Sequence, residues 1–294
     1  MIKIVECPRD AMQGLHDFIP TATKIAYINQ LLKVGFDSLD CGSFVSPATI
    51  PQMRDTAEVL AQIDWQSSAT KLLTIVANLR GAQAACQTAG VHYLGYPFSV
   101  SETFQLRNTN ATIIESLERV RQIQSLCESV GKTLIVYISM GFGNPYGDSW
   151  SIDIVQNWVQ KLAALGIKII SLSDTVGTAD APTISYLFEQ LIPRYPNIEF
   201  GAHFHTLPHA WREKVDAAYK AGCRRFDGAI KGFGGCPMAT DDLTGNMPTE
   251  NLIQYFSELQ GTNKDFNTGV NIAEFQQAMA MATSVFPNTV ARNS

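Results

Sequence analysis

Short apolar runs alternate with longer amphipathic segments along all 294 residues of the chain. This alternation is typical of strand and helix units built around a parallel sheet. Several amphipathic segments end in a glycine, as at Gly35, Gly131 and Gly166, which is a common way for a helix to end. The runs predict eight strands, at residues 2–7, 38–41, 72–76, 92–96, 133–139, 168–172, 198–203 and 225–229.

Eight strands that alternate with helices predict an α/β fold, a single (β/α)8 TIM barrel. Residues 251–259 and 272–282 also have helical patterns, so we expect an additional C-terminal helical segment. The prediction is one catalytic domain over residues 1–294, with the barrel in about 1–260 and the extra helix in about 270–285. An open doubly wound sheet is the alternative, but no Gly-x-Gly-x-x-Gly turn follows the first strand.

The amino-acid composition argues against several classes of function and location. The chain is 46% hydrophobic and 17% charged, with a formal net charge of -5 at pH 7, which argues against a nucleic-acid partner. No apolar stretch reaches the roughly 18 residues of a membrane span, and no signal-peptide pattern opens the chain, so we expect a cytoplasmic protein. The six cysteines have no compact spacing, which favours free thiols over a disulfide framework.

In a TIM barrel the active site lies where the strands end and the following loops begin. Each candidate side chain also has a purely structural interpretation. Asp10 and Asp174 could cap helices, Arg9 could pair with Asp40, and Cys236 could be an inert buried thiol. Their occurrence at one rim favours a functional site. The candidates, in strand order, are Arg9, Asp10, Gln13, Asp40, Ser43, Asp174, Thr175, His203, His205, Cys236 and Asn246.

His203 and His205 are two residues apart on the seventh strand, so their side chains point to the same face. With Asp10 and Asn246 they form a candidate set of metal ligands, two imidazoles, a carboxylate and a carboxamide. Mixed oxygen and nitrogen ligands with open positions suit an octahedral Mg²⁺ or Mn²⁺ better than a closed tetrahedral zinc site. A divalent cation is therefore the predicted cofactor.

Four motifs occur in order along the chain. Residues 5–13 read Val-Glu-Cys-Pro-Arg-Asp-Ala-Met-Gln, and the other three lie at residues 43–53, 171–177 and 232–237. Together they resemble, in the same order, the motifs of the 3-hydroxy-3-methylglutaryl-CoA lyases, whose first motif reads Pro-Arg-Asp-Gly-Leu-Gln. The resemblance covers nearly the whole chain and places it among the metal-dependent lyase and synthase TIM barrels.

The resemblance implies a carbon–carbon lyase that cleaves 3-hydroxy-3-methylglutaryl-CoA, or a similar 3-hydroxyacyl-CoA, to acetyl-CoA and acetoacetate. It implies a metal bound by the four candidate ligands, Arg9 beside the thioester carbonyl, and Cys236 as the acid that protonates the enolate carbon. Asp10 or a histidine, such as His203, would take the hydroxyl proton. The remaining rim residues are candidates for substrate binding, namely Gln13, Asp40, Ser43, Asp174 and Thr175. A homodimer is also implied.

The chain departs from the family pattern around the expected substrate. Asp40 stands where the family has Glu, His16 where it has Lys, and Asn144 where it has Cys. The run from Thr206 to His209 replaces Asp-Thr-Tyr-Gly. The acyl group and the pathway, leucine catabolism among the candidates, are thus open. The alternatives are a related aldolase or an acyl-CoA condensing enzyme acting on a 2-oxo acid, and a barrel that binds metal and acyl-CoA without turnover.

Overall fold

Eight parallel strands form a closed barrel in the computed structural model, which describes residues 1–235, 244–260 and 268–286. Neighbouring strands pair in sequence order, and β1 pairs with β8 while β6 pairs with β7, which closes the ring. The strands are β1 (Lys3–Glu6), β2 (Ser38–Ser43), β3 (Lys71–Ile75), β4 (Val91–Ser99), β5 (Thr133–Ser139), β6 (Ile169–Asp174), β7 (Glu199–Thr206) and β8 (Arg225–Gly228).

Eleven helices surround or follow the strands in the described part of the chain. Gly35 ends the second of them with φ 83°, a left-handed conformation that glycine adopts without steric cost. The helices are α1 (Pro8–Gln13), α2 (Thr21–Val34), α3 (Thr56–Gln62), α4 (Leu79–Gln87), α5 (Glu102–Thr109), α6 (Ile113–Ser129), α7 (Ile152–Ala164), α8 (Ala181–Arg194), α9 (Trp211–Lys220), α10 (Thr249–Gln260) and α11 (Ile272–Val285).

Alternate residues of a barrel strand pack in two different hydrophobic clusters. On β5, Ile135 and Tyr137 belong to a small cluster with Val5, Leu73 and Ile169, which come from other strands. The intervening residues of β5 pack instead in the larger cluster that includes the helix side chains. This period of two is what a pleated strand dictates, and it separates the barrel interior from the layer between strands and helices.

A buried ionic network fixes the end of the barrel where the strands begin. Arg225, at the start of β8, is 1% exposed and donates to Asp37 at 2.9 Å and to the Ser38 hydroxyl at 2.8 Å. It also contacts Glu199 at the start of β7. The opposite end, where the strands finish, carries the polar side chains of the predicted site.

The C-terminal helix α11 packs against α2. The amide of Asn271 donates to the Val34 carbonyl at 2.8 Å, and Phe275 packs edge-on against Phe36. The predicted barrel with an additional C-terminal helical segment is therefore confirmed. No described helix is long and apolar enough to cross a membrane. The proposed division into one domain with those boundaries stays a prediction.

The structure adds two short elements near the rim to the predicted strands and helices. Pro8 begins helix α1 directly after β1, because proline suits the first turn of a helix. A two-residue strand, β9 (Gly245–Asn246), pairs antiparallel with the end of β7. Neither is long enough to give a periodic sequence signal.

Candidate metal centre and cavity

Three of the four predicted metal ligands converge at the rim of the barrel. His203 and His205 share one face of β7, with ring centroids 5.4 Å apart, and Asp10 projects from α1. One donor atom from each of the three lies within 4.8 Å of the others. All three come from elements that begin or end at the same rim, so the fold itself produces the cluster.

Asn246 joins this cluster because β9 pairs with β7. His205 and Asn246 are directly opposite in that pairing. The Asn246 amide nitrogen donates to Asp10 Oδ2 and to the Phe233 carbonyl, both at 2.9 Å. These two bonds use both amide hydrogens, so the carboxamide oxygen is the atom that Asn246 can offer a cation.

Arg9 lies between two carboxylates. Its guanidinium donates to Asp10 at 2.8 Å and to Asp40 at 3.0 Å, and Gln13 donates to Asp10 at 2.6 Å. Burial opposes ionisation of Asp10, but Arg9, the two neighbouring histidines and the hydrogen bond from Asn246 together outweigh it and hold the pKa of Asp10 at about 2. Burial raises the pKa of Asp40 to about 6, although Arg9 opposes the shift. Asp10 is therefore a carboxylate at neutral pH.

The two histidines differ in their surroundings. Burial lowers the pKa of His205 to about 4, so its ring is neutral at pH 7, the form that binds metals. Its Nδ1 atom is buried without a hydrogen-bond partner among the described residues, which is costly in a folded protein unless something occupies the position. A cation at this cluster would satisfy it, so the donor set fits a metal ion.

His203 is held by a residue that the sequence analysis missed. Its Nδ1 lies 3.1 Å from Asp227 Oδ2, and the two residues are directly opposite in the pairing of β7 with β8. Burial acts to lower the pKa of His203, but this hydrogen bond and the charges of Asp227 and Asp10 together raise it above its usual value. A carboxylate behind a histidine fixes the ring and leaves Nε2 for a metal. The signal in the sequence was a charged residue within an apolar strand.

A cavity of about 310 Å³ opens above the cluster. Seven of the predicted site residues line it: Arg9, Asp10, Gln13, Asp40, Thr175, His203 and His205. The sequence analysis did not select several other lining residues, including Asn78, Arg107, Asn108, Asn110, Tyr137 and Ser139. Most of these lie on β5 or on the segments after β3 and β4, where no motif drew attention. Cys236 lies outside the described residues.

Two predicted substrate-binding residues do not line the cavity. The Ser43 hydroxyl donates to the Ile75 carbonyl at 3.3 Å, and the Ser43 backbone amide donates to the Thr56 hydroxyl. Asp174 accepts from buried Lys214 at 2.6 Å and from the amide of Thr178 at 2.9 Å. It is also not the cap of the following helix, since Asp180 has that position. Asp174 thus supports the loop after β6.

Most departures from the family pattern also lie away from this cavity. His16 lines a second cavity of about 290 Å³ with Phe18 and Phe286. Asn144 and the run from Thr206 to His209 are not among the residues that line the first cavity. Asp40 is the exception, because it lines the cavity and binds Arg9.

The fold and the site together define a (β/α)8 barrel with a candidate divalent-metal centre beneath a cavity large enough for a small ligand. Comparison with known proteins gives the family. The HMGL-like family model matches residues 2–282, and the chain belongs to that family.

Named relatives and a solved structure agree with this assignment. The chain is 31% identical to hydroxymethylglutaryl-CoA lyase YngG of Bacillus subtilis, over 92% of this chain and 88% of that one. It is 32% identical to the 3-hydroxy-3-isohexenylglutaryl-CoA/hydroxy-methylglutaryl-CoA lyase of Pseudomonas aeruginosa, with the same coverage of 92% and 88%. A structure of an HMG-CoA lyase from Acinetobacter baumannii, in complex with coenzyme A and 3-methylmalate, has a TM-score of 0.88 at 28% identity and covers 100% of this chain and 95% of that chain. The prediction of a carbon–carbon lyase is confirmed at the level of enzyme class.

Proposed function

We propose that this chain is a metal-dependent lyase for 3-hydroxy-3-methylglutaryl-CoA or a similar 3-hydroxyacyl-CoA. The products are acetyl-CoA and an oxo acid, which is acetoacetate for the first substrate. The observation that carries the proposal is the convergence of Asp10, His203 and His205 under a cavity that Arg9 also lines. The relative solved with coenzyme A and 3-methylmalate supports an acyl-CoA ligand.

Asp10, His203, His205 and Asn246 are the residues proposed to hold the cation, with Mg²⁺ or Mn²⁺ as the expected ion. A divalent cation bound there supplies Lewis-acid charge that favours ionisation of a substrate hydroxyl. The support from this chain is the low pKa of Asp10 and the neutral ring of His205. Both groups are in their ligand form at pH 7 without further change.

The chemistry requires the bond between C2 and C3 of the acyl chain to break. Its electron pair passes to the thioester as an enolate, while the hydroxyl at C3 loses a proton and becomes a ketone. Arg9 is the fixed positive charge in the cavity that offsets the enolate. Its position is set by Asp10 and Asp40. Cys236 is proposed, on the family resemblance alone, as the acid that protonates the enolate carbon.

The cavity wall also suits a substrate with a longer alkyl group. Apolar side chains also line the cavity, including Val45, Ile50, Ile75, Pro97 and Phe104. The Pseudomonas aeruginosa relative is named for an isohexenyl substrate as well as the methyl one. The acyl preference of this chain is therefore best tested with both.

The test is to incubate purified protein with each thioester and with Mg²⁺ or Mn²⁺, and to measure acetyl-CoA and the oxo acid. We expect both products, and none after removal of the metal by a chelator. Absence of product with both thioesters at every metal concentration would reject the lyase proposal. Product from pyruvate with an aldehyde, or from acetyl-CoA with a 2-oxo acid, would favour the aldolase or condensing alternative.

The homodimer and the cytoplasmic location are further proposals that rest on the resemblance and the composition. Light scattering of the purified chain tests the first, and cell fractionation tests the second. Neither affects the assignment of the site.

A further inference from the structure

The outer end of the cavity is polar. It is lined by Arg107, Asn108, Thr109 and Asn110, at the end of α5, and by Asn78 at the start of α4. These residues lie on segments that follow β3 and β4, whereas the metal cluster comes from α1, β7 and β9. The proposed chemistry uses none of them.

Arg107 differs from the other charged side chains that line the cavity. The three other permanent charges that line the cavity, Arg9, Asp10 and Asp40, bind one another. Arg107 forms no ion pair within residues 1–235, 244–260 and 268–286, and no side-chain hydrogen bond there. It is also exposed to solvent. A ligand in this cavity therefore meets, at the outer end, a positive charge that no carboxylate among the described residues pairs with.

The Arg107 side chain is positioned by an aromatic stack. Its guanidinium carbon lies 4.6 Å from the centre of the Tyr146 ring, a typical cation–π arrangement. Tyr146 stacks in turn on Phe104, with centroids 6.4 Å apart and an angle of 18° between planes. Phe104 is fully buried. A guanidinium that rests on a ring face keeps its in-plane N–H groups available for an anion.

Hydrogen bonds of the Asn144 side chain hold the loop that carries Tyr146. Its side-chain oxygen accepts from the amides of Tyr146 at 3.0 Å and Asp148 at 3.1 Å, and its nitrogen donates to the Asp148 carbonyl at 3.0 Å. Asp148 binds the hydroxyl and amide of Thr103, which ties the loop to α5. The arginine is thus held on a braced surface and not on a free loop.

We propose that Arg107, stacked on Tyr146, binds an anionic group of the ligand at the outer end of the cavity, while the other end of the ligand reaches the metal cluster. This inference rests on the proposed function. The recognised chemistry is a carboxylate or phosphate, since a guanidinium matches both. The two sources are a terminal carboxylate of the acyl chain and a phosphate of the coenzyme A part.

The experiment is isothermal titration calorimetry of the full chain with coenzyme A alone and, separately, with free 3-hydroxy-3-methylglutarate. The variants are Arg107→Ala, Arg107→Lys and, as a matched control, Arg121→Ala. Arg121 is an exposed arginine on α6 that pairs with Glu118, so its loss removes the same charge away from the cavity. Thermal unfolding of each variant checks that the fold is retained.

We expect Arg107→Ala to weaken binding of one of the two probes about tenfold at low salt, Arg107→Lys to weaken it less, and Arg121→Ala to leave it unchanged. The difference should shrink as salt rises, because the site is exposed. Weaker binding of coenzyme A would identify a phosphate as the anionic group that Arg107 binds. Weaker binding of 3-hydroxy-3-methylglutarate would identify a carboxylate. Unchanged affinity for both probes would overturn the proposal.

The outcome is separable from that of the proposed function, because calorimetry needs no turnover. If no thioester is cleaved but Arg107→Ala weakens binding, the anion site stands and the lyase proposal fails. If cleavage occurs and Arg107→Ala alters neither probe binding nor KM, the lyase proposal stands and the anion site fails.

Discussion

The two ends of the cavity are built in different ways. At the inner end, Asp10, His203 and His205 lie on or beside barrel strands, are at least four-fifths buried, and are linked to further buried groups. At the outer end, Arg107 is exposed on the last turn of a helix and rests on a loop through an aromatic ring. The inner end is therefore formed by the barrel strands and the residues beside them, whereas the outer end is formed by a helix and a loop outside the barrel.

The two ends place different limits on where the chain can depart from the family pattern. Asp10, which lies in the first family motif, is bound by Arg9, Gln13 and Asn246, so moving it would leave those polar groups without their partner. Asp40, also at the inner end, departs from the family's Glu but keeps its bond to Arg9. Asn144 departs, and it acts only through the loop under Tyr146. A substitution at the outer end can therefore change ligand preference without disturbing the reaction centre.

Among the tests of this difference between the two ends of the cavity, Asp10→Asn has the largest expected effect. It removes the carboxylate from the cluster and the counter-charge from Arg9. Because the cation supplies several kcal/mol of charge stabilisation, we expect turnover to fall by at least about 10³-fold, with loss of metal from the purified protein. Elemental analysis and the lyase assay measure both. Asp153→Asn, on the exposed face of α7, is the control; an equal loss there would show that the effect is not local.

The second test concerns the buried support of the inner end. Lys214 is 2% exposed and donates to Asp174, to the Gly177 carbonyl and to the carbonyl of His205 itself. Lys214→Met leaves a buried carboxylate unpaired, which costs about 3 to 5 kcal/mol of unfolding free energy. Urea denaturation measures it. The double variant with Asp174→Asn should recover part of that loss, and no recovery would mean that the pair is not the cause.

The third test uses pH. Burial raises the pKa of Glu6 to about 8, although Thr249 and the amide of Ile230 oppose the shift. The folded chain therefore keeps a proton that the unfolded chain loses near pH 4.5, so this contribution to stability is complete below that pH and is lost as pH rises through about 8. Glu6→Gln should be more stable than the parent by on the order of 3 kcal/mol at pH 9. The advantage should vanish at pH 4.5, and a pH-independent difference would contradict the argument.

The fourth test separates a ligand from its support. Asp227→Asn leaves all proposed metal ligands in place but removes the carboxylate that holds His203. Loss of such a partner lowers metal affinity by roughly 10- to 100-fold. Calorimetric titration with Mn²⁺ measures the change, and thermal unfolding without metal is the control. Unchanged affinity would mean that Asp227 has no part in positioning the ring.

The inner end could be predicted from sequence because its rules are local. His203 and His205 share a face since strand residues alternate, and the rim position follows from the barrel. The same alternation accounts for one of the two predicted residues that do not line the cavity. Ser173 and Thr175 line the cavity, and Asp174 between them points to Lys214.

Residues that depend on register or on helix placement were not predictable in this way. Asp227 becomes a partner of His203 only when β7 and β8 pair in the observed register. Arg107 reaches the cavity because α5 follows a long β4 and ends beside Tyr146. Neither relation leaves a periodic pattern, since it depends on contacts between segments far apart in the chain.

The smallest expected effect is at the outer end, where Asn144→Ala removes the bonds that brace the loop under Tyr146. The stack then loses its support, and Arg107 spends less time in position. A net loss of about 1 kcal/mol corresponds to a rise in KM for the thioester of about fivefold, with kcat within twofold because the inner end is untouched.

Asn144→Asp tests the same role of the Asn144 side chain by removing only some of its hydrogen bonds. It keeps the acceptor for the Tyr146 and Asp148 amides but loses the donor to the Asp148 carbonyl. We therefore expect KM between those of the parent and of Asn144→Ala. A fall in kcat with unchanged KM in either variant would mean that the two ends of the cavity are coupled, and that the outer end takes part in the chemical step.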